Sequence, residues 1–168
     1  MAVKLQRPKG LDEVLKNLNK EIGKIEGDVQ KGLTLGMLVV KGKSMASTPV
    51  DTGNLKGSHY LVSRGGVMDQ TAGSDFSTQD DSGKKVAAEH SGKVDAAKSR
   101  VKRKRDPFVE IGCTAFYAEK VHEDLQASHM KSDKEGNPIQ VGKAKFLEDA
   151  IKENQQLILD TVRRFARR

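Results

Sequence analysis

Few residues in this chain have types and spacings that suit chemistry. His122 and Glu123 form half of a zinc-helix motif, but in HEDLQASH the second histidine, His129, comes seven residues on rather than four. Seven residues return close to one helical face. A two-histidine metal pair is therefore one reading, and a solvated pair on a polar turn is the other; no metal is assigned. Ser58 stands beside His59, yet neighbouring strand residues point to opposite faces, which argues against a nucleophile and its base. Gly53 and Gly57 lack the Gly-Lys-Ser/Thr ending of a phosphate-binding loop. Cys113 is the single cysteine, which excludes an internal disulfide and a thiolate metal cage. No basic partner or helix N-terminus beside it would activate the thiol, and it reads as a small packing residue. Neither an enzyme nor a cofactor site is expected.

One cationic run remains. KSRVKRKR carries Lys98, Arg100, Lys102, Arg103, Lys104 and Arg105 within eight residues. Such a run can bind phosphates by releasing counterions. No aromatic residue is interleaved for base stacking. It reads either as a contact for DNA or a partner, or as a solvated, self-paired arm.

The elements around these residues turn on one corner, Thr48-Pro49-Val50-Asp51-Thr52-Gly53-Asn54-Leu55. Pro49 cannot continue a helix and biases Thr48 out of the helical region. Asp51 is expected to cap the turn, Gly53 to adopt a positive φ, and Val50 and Leu55 to supply apolar contacts. Before the corner, Leu11, Leu15, Leu18, Ile22, Ile25, Val29 and Leu33 repeat at spacings of four and three, one helical face over six turns. A helix from Asp12 to Ser47 would be ~54 Å long, longer than a small domain is wide. Part of it should rest on another subunit or project. Gly23, Gly27, Gly32 and Gly36 weaken this helix by roughly 1 kcal/mol each relative to Ala. They either let a second backbone approach, as at a subunit interface, or mark a kink near Gly32–Gly36.

After the corner, Ser58–Val62 has strand character. Residues 65–83 hold Asp69, Asp75, Asp80 and Asp81 with no Lys or Arg, whereas residues 84–105 hold nine Lys and Arg against Glu89 and Asp95. The 64–106 segment reads as a charged excursion, a long hairpin or loop whose acidic and basic arms can fold back on one another. Phe108–Cys113 alternates like a strand. Thr114–Gln126 is a short helix, or a strand and turn, and Gly136-Asn137-Pro138 is a turn signal. Phe146, Leu147, Ala150, Ile151, Leu157, Ile158, Val162 and Phe165 mark a C-terminal helix with acids early and arginines late, matching its dipole. At 168 residues, with 36% hydrophobic and 4% aromatic residues and a net charge of +7, the chain suits one domain with a thin core and a part outside it. The charge suits an acidic partner. No run approaches the roughly 18 apolar residues of a membrane span, and Met1–Gly10 lacks the apolar core of a secretory signal.

TPVDTGNLKGS after a long helix, FVEIGC followed by FYAEKVHE, and GKAKFLEDAI opening a final helix together resemble the tail-completion proteins of tailed bacteriophages. These head–tail joining components of the neck are often called minor capsid or minor tail proteins. The resemblance covers about three quarters of the chain, and Pro49–Leu55 is its most specific piece. Asp124 follows Glu123 where relatives often carry a glycine, and the 64–106 segment is longer and more charged than expected. The resemblance implies an α+β domain, with the long N-terminal and the C-terminal helix on a small, mainly antiparallel sheet. It also implies a homo-oligomeric ring, expected to be sixfold, joining the head connector to the tail around the DNA channel, located in the virion and made in the host cytoplasm. The alternatives are a tail terminator or another neck ring and, in a different class, a DNA-binding protein using Lys98–Arg105.

Overall fold

A computed structural model of the chain describes residues 11–67, 76–77, 81–127 and 129–167. Helix α1 spans Leu11–Ser47, 37 residues, and ends just before Pro49 removes the next backbone donor. Its two halves differ. Residues 13–27 are exposed on every face. From residue 28 onward one side is covered, and Gly32, Thr34, Gly36, Val40, Lys41 and Ser44 are buried.

After the corner, a single helical turn, α2 (Asn54–Gly57), feeds strand β1 (His59–Ser63). β1 is the centre of a three-stranded antiparallel sheet, with β2 (Gly66–Val67) on one edge and β3 (Val109–Cys113) on the other. Its register with β3 sets His59 opposite Cys113 and Leu61 opposite Ile111. His59, Leu61, Val62 and Ser63 are all buried, a pattern that requires cover on both faces. Helix α1 covers the His59 and Leu61 face. The other face packs on α3 (Asp81–Arg103), where Val62 and Tyr60 meet Val94, Ala97 and Val101.

Helix α3 corrects the expected excursion over 64–106. Residues 81–103 are a regular helix seated on the sheet, not an extended hairpin or loop. Val86, His90, Val94, Ala97 and Val101 recur at spacings of four, four, three and four and form its buried face. This stripe is narrow, and the charge around it hides it from a reading by composition. The acidic part of the segment, 68–75 and 78–80, lies outside the described residues.

A second cluster joins Leu55, Val86, Ala115, Ala118 and Phe146. It seats the short helix α4 (Ala118–Glu123) against the corner. The strands β4 (Met130–Ser132) and β5 (Pro138–Gln140) form a separate hairpin. Its turn is held by Asp133, whose Oδ1 accepts from the N–H groups of Glu135 (3.0 Å) and Asn137 (2.7 Å). The expected C-terminal helix is broken once, at Asn154, into α5 (Phe146–Glu153) and α6 (Gln155–Ala166). The Asn154 amide is buried; it donates to Ala150 O (2.7 Å) and accepts from Lys43 Nζ (2.7 Å). The architecture is α+β: α1 and α3 cover the two faces of the small antiparallel sheet, and the expected seat of the C-terminal helix is corrected, because α5 and α6 pack chiefly along α1 rather than on the strands. Among the described residues no helix is long and apolar enough to cross a membrane.

Candidate functional site

The corner is more than a change of direction. Pro49, Val50, Asp51, Thr52, Gly53 and Leu55 line an open hollow of about 310 Å3. Tyr117 and Val121 of the α4 region, far along the chain, reach the same hollow, as do Met130 and Val141. Two of the sequence stretches singled out above, TPVDTGNLKGS and FYAEKVHE, thus converge on one surface feature. The segment after β5 clamps the corner from outside: Val50 N–H donates to Val141 O (3.1 Å) and Lys143 N–H to Ser47 O (2.9 Å). Between those bonds Gly142 has φ +140°, and a Cβ there would lie 2.4 Å from Pro49 Cα. Only glycine fits so close a crossing. Nothing in the Gly142 sequence context distinguishes it from a loop glycine, and sequence reasoning missed it.

Gly53 has the expected positive φ, +86°. Asp51 does not cap the turn. Its side chain is 95% exposed, 3.5 Å from Lys131 Nζ, and α2 begins without any side-chain cap. The turn is held instead by buried Asn54. Its amide donates to Ser77 O (3.1 Å) and accepts from Ser77 N–H (2.7 Å), tying the corner to the stretch that precedes α3. Asn54 does this because α2 directs its side chain inward, whereas Asp51 sits on the outer side of the bend.

The histidine beside Ser58 has a different hydroxyl partner from the one its sequence neighbour suggests. His59 is fully buried, with Nε2 3.1 Å from Ser44 Oγ on the last turn of α1 and 3.3 Å from Thr48 Oγ1 just beyond it. Its Nδ1 faces the carbonyls of Lys56 (3.1 Å) and Leu55 (3.3 Å). Two carbonyl acceptors require a proton on Nδ1, which leaves Nε2 to accept from Ser44. Burial holds the imidazole neutral, lowering its pKa from 6.5 to about 4. The arrangement has the order of a nucleophile–base pair, with backbone carbonyls in place of an orienting carboxylate. Ser44 and His59 are both 0% exposed, so no substrate reaches them. They fasten α1 to β1. Ser44 was overlooked because it is fifteen residues from His59 and looks like an ordinary helix serine.

The remaining candidates separate. His122 packs edge-on against Phe146 and its Nδ1 lies 2.7 Å from Glu123, while His129 flanks β4 and the corner hollow. Burial pushes the Cys113 thiol up to about 12, as suits a packing residue. In the basic run, Lys98 pairs with Asp95, Arg100 with Glu110, and Lys104 lies over the Phe108 ring. The Arg100 contact is the first cause of the lowered Glu110 pKa. Burial and then the bond to Glu110 (2.9 Å) raise Tyr60 to about 12. Lys102, Arg103 and Arg105 are exposed at and beyond the end of α3. The run is therefore a helix terminus that is partly engaged within the chain.

The four glycines of α1 also divide. A Cβ on Gly32 would come within 2.8 Å of Val162 Cα, and one on Gly36 within 3.2 Å of Ile158 Cα. These two serve the close crossing of α1 and α6 within one chain, which corrects their reading as a subunit interface. α1 runs through them without a break. Around Gly23 and Gly27 there is open space. At about 100° per residue they fall opposite the apolar stripe, beside Lys20 and Lys24. The stripe itself stays uncovered in this half of the helix: Leu15 is 44% exposed, Leu18 54%, Ile22 45% and Ile25 54%.

Comparison of the chain with protein-family models, curated proteins and solved structures gives no match.

Proposed function

We propose that this chain is an assembly component of the neck of a tailed bacteriophage, a tail-completion protein that forms a ring and joins the head connector to the tail. One observation carries the reading. The first half of α1 presents four large apolar residues along one face with no cover among the described residues. Monomers rarely expose such a contiguous patch, and a helical stripe of this kind is a docking surface. The resemblance supplies the identity of the assembly. Of its most specific stretch, Pro49, Val50, Asp51, Thr52, Gly53 and Leu55 share one hollow at the corner of the fold with Tyr117 and Val121. The ring encloses the DNA channel, and the exposed cations at the end of α3 are available to the DNA or to a neighbouring ring.

Inactivating the gene in a phage that carries it, and inspecting the lysate by electron microscopy, tests the proposal. The expected result is filled heads and finished tails that remain separate, and that join when purified protein is added. Intact infectious particles, or a block before heads are filled, would overturn it.

A further inference from the structure

The uncovered stripe and a groove elsewhere on the same surface complement each other in shape and charge. Leu15, Leu18, Ile22, Ile25 and Val29 follow one another at spacings of three, four, three and four, the seam of a coiled coil. At about 100° per residue, Glu21, Glu26 and Asp28 flank this seam, while Lys16, Lys20 and Lys24 lie behind it. Glu21 and Asp28 form only exposed i,i+3 pairs with Lys24 and Lys31, contacts that exchange easily. Two such seams packed on each other would set acid against acid in either direction. The occupant of the seam should therefore offer an apolar hole with cations at its rim.

The chain has such a hole. A groove of about 300 Å3, almost all of its surface apolar, lies among Gln30, Lys31, Thr34, Leu35, Ser63 and Phe165. Leu35 is 44% exposed within it. Arg64 follows Ser63 at one edge, and its guanidinium holds the carbonyls of Lys104 (2.8 Å) and Asp106 (3.2 Å). That contact draws the cationic end of α3 to the groove. Phe108, bonded through its backbone to Gln30 (2.8 and 3.1 Å), carries Lys104 over its ring to the same edge. Arg163 and Arg164 are exposed next to Phe165 in α6. We infer that the seam of one copy, Leu15 to Ile25, docks into the Leu35–Phe165 groove of a second copy, with Glu21, Glu26 and Asp28 meeting Lys31, Arg64 and Lys104. The two surfaces differ, so the contact is head-to-tail and propagates until a ring closes. The inference rests on the ring reading above and names its surfaces.

Two exposed substitutions in the full chain test it, Ile22→Asp in the seam and Leu35→Asp in the groove. Circular dichroism should show both folded like the wild type. Analytical ultracentrifugation over a concentration series should find the wild type in oligomers, with each variant alone weakened by roughly tenfold or more. An equimolar mixture of the variants should form a one-to-one dimer that grows no further, because each retains the surface the other lacks. A mixture no more associated than its components would overturn the inference. So would variants that still assemble, or a wild type that is monomeric at every concentration, which would assign the stripe to a different protein. If the mixed dimer forms but the wild type builds open chains instead of rings, the contact stands and the ring reading fails. If rings form with either variant, the ring reading stands and this contact fails.

Discussion

Alanine at two glycines of one helix should have opposite effects on stability. Gly23 lies in the uncovered half of α1, where an added Cβ would find nothing within 4 Å, whereas Gly32 faces the backbone of α6. At Gly23 the new methyl group meets only water. The change should stabilise the helix by roughly 0.5–1 kcal/mol, the propensity difference between Gly and Ala. At Gly32 the same gain is opposed by contacts of 2.8 Å to Val162 Cα and 3.2 Å to Thr161 O. These are backbone atoms and cannot rotate away, so α6 must shift, at about 1–3 kcal/mol for overpacking. The net loss should be about 1–2 kcal/mol, and at roughly 2–4 °C per kcal/mol for a chain of this size it is measurable by thermal melting. Urea titration followed by circular dichroism gives the same comparison at constant temperature. A Gly32→Ala protein at least as stable as the wild type would refute the seating of α6 on α1.

Other outcomes follow from the corner and the buried groups. Asp51→Ala should leave the melting temperature unchanged, because the side chain is solvated, whereas Asn54→Ala should lower stability by about 1–2 kcal/mol by removing both bonds to the half-buried backbone of Ser77. His59 is held neutral, with a pKa of about 4 against 6.5 in the unfolded chain. As pH falls below 6.5 the unfolded chain takes up a proton that the fold refuses. Stability from this residue is thus complete above that value and lost on the way down to pH 4, about 3 kcal/mol in all. Urea midpoints between pH 7 and about 5, above the carboxylate range, should show the decline, and His59→Asn should flatten it. Cys113, half-buried and with its thiol raised to about 12, should react with a thiol reagent at pH 8 far more slowly in the native protein than in the urea-unfolded chain. Rapid labelling of the native protein would contradict its packing role.

The elements with wide apolar faces were legible in the sequence, and those with narrow ones were not. α1 and α5–α6 repeat large aliphatic residues at helical spacing, and β3 alternates over five residues. α3 relies on three valines, an alanine and a histidine among thirteen exposed residues, so charge dominates its composition. Gly53 was readable because a tight turn needs positive φ, which is a local property. The roles of Asn54, Gly142 and Ser44 were not, because each depends on a partner distant in sequence: Ser77, Pro49 and His59. Asp51 shows the converse error, a residue with the right chemistry for a cap placed on the outside of the bend. The pairs Gly23/Gly27 and Gly32/Gly36 share a spacing but not a face, and only the second pair faces α6.

A neck protein acts at the junction of head and tail, and its place in the particle can be seen. Particles of a phage carrying this gene, labelled with gold-conjugated antibody against the chain and imaged by electron microscopy, test it directly. Gold at the junction of head and tail is the predicted result. Gold on the capsid faces or the tail tip, or particles without label, would contradict it.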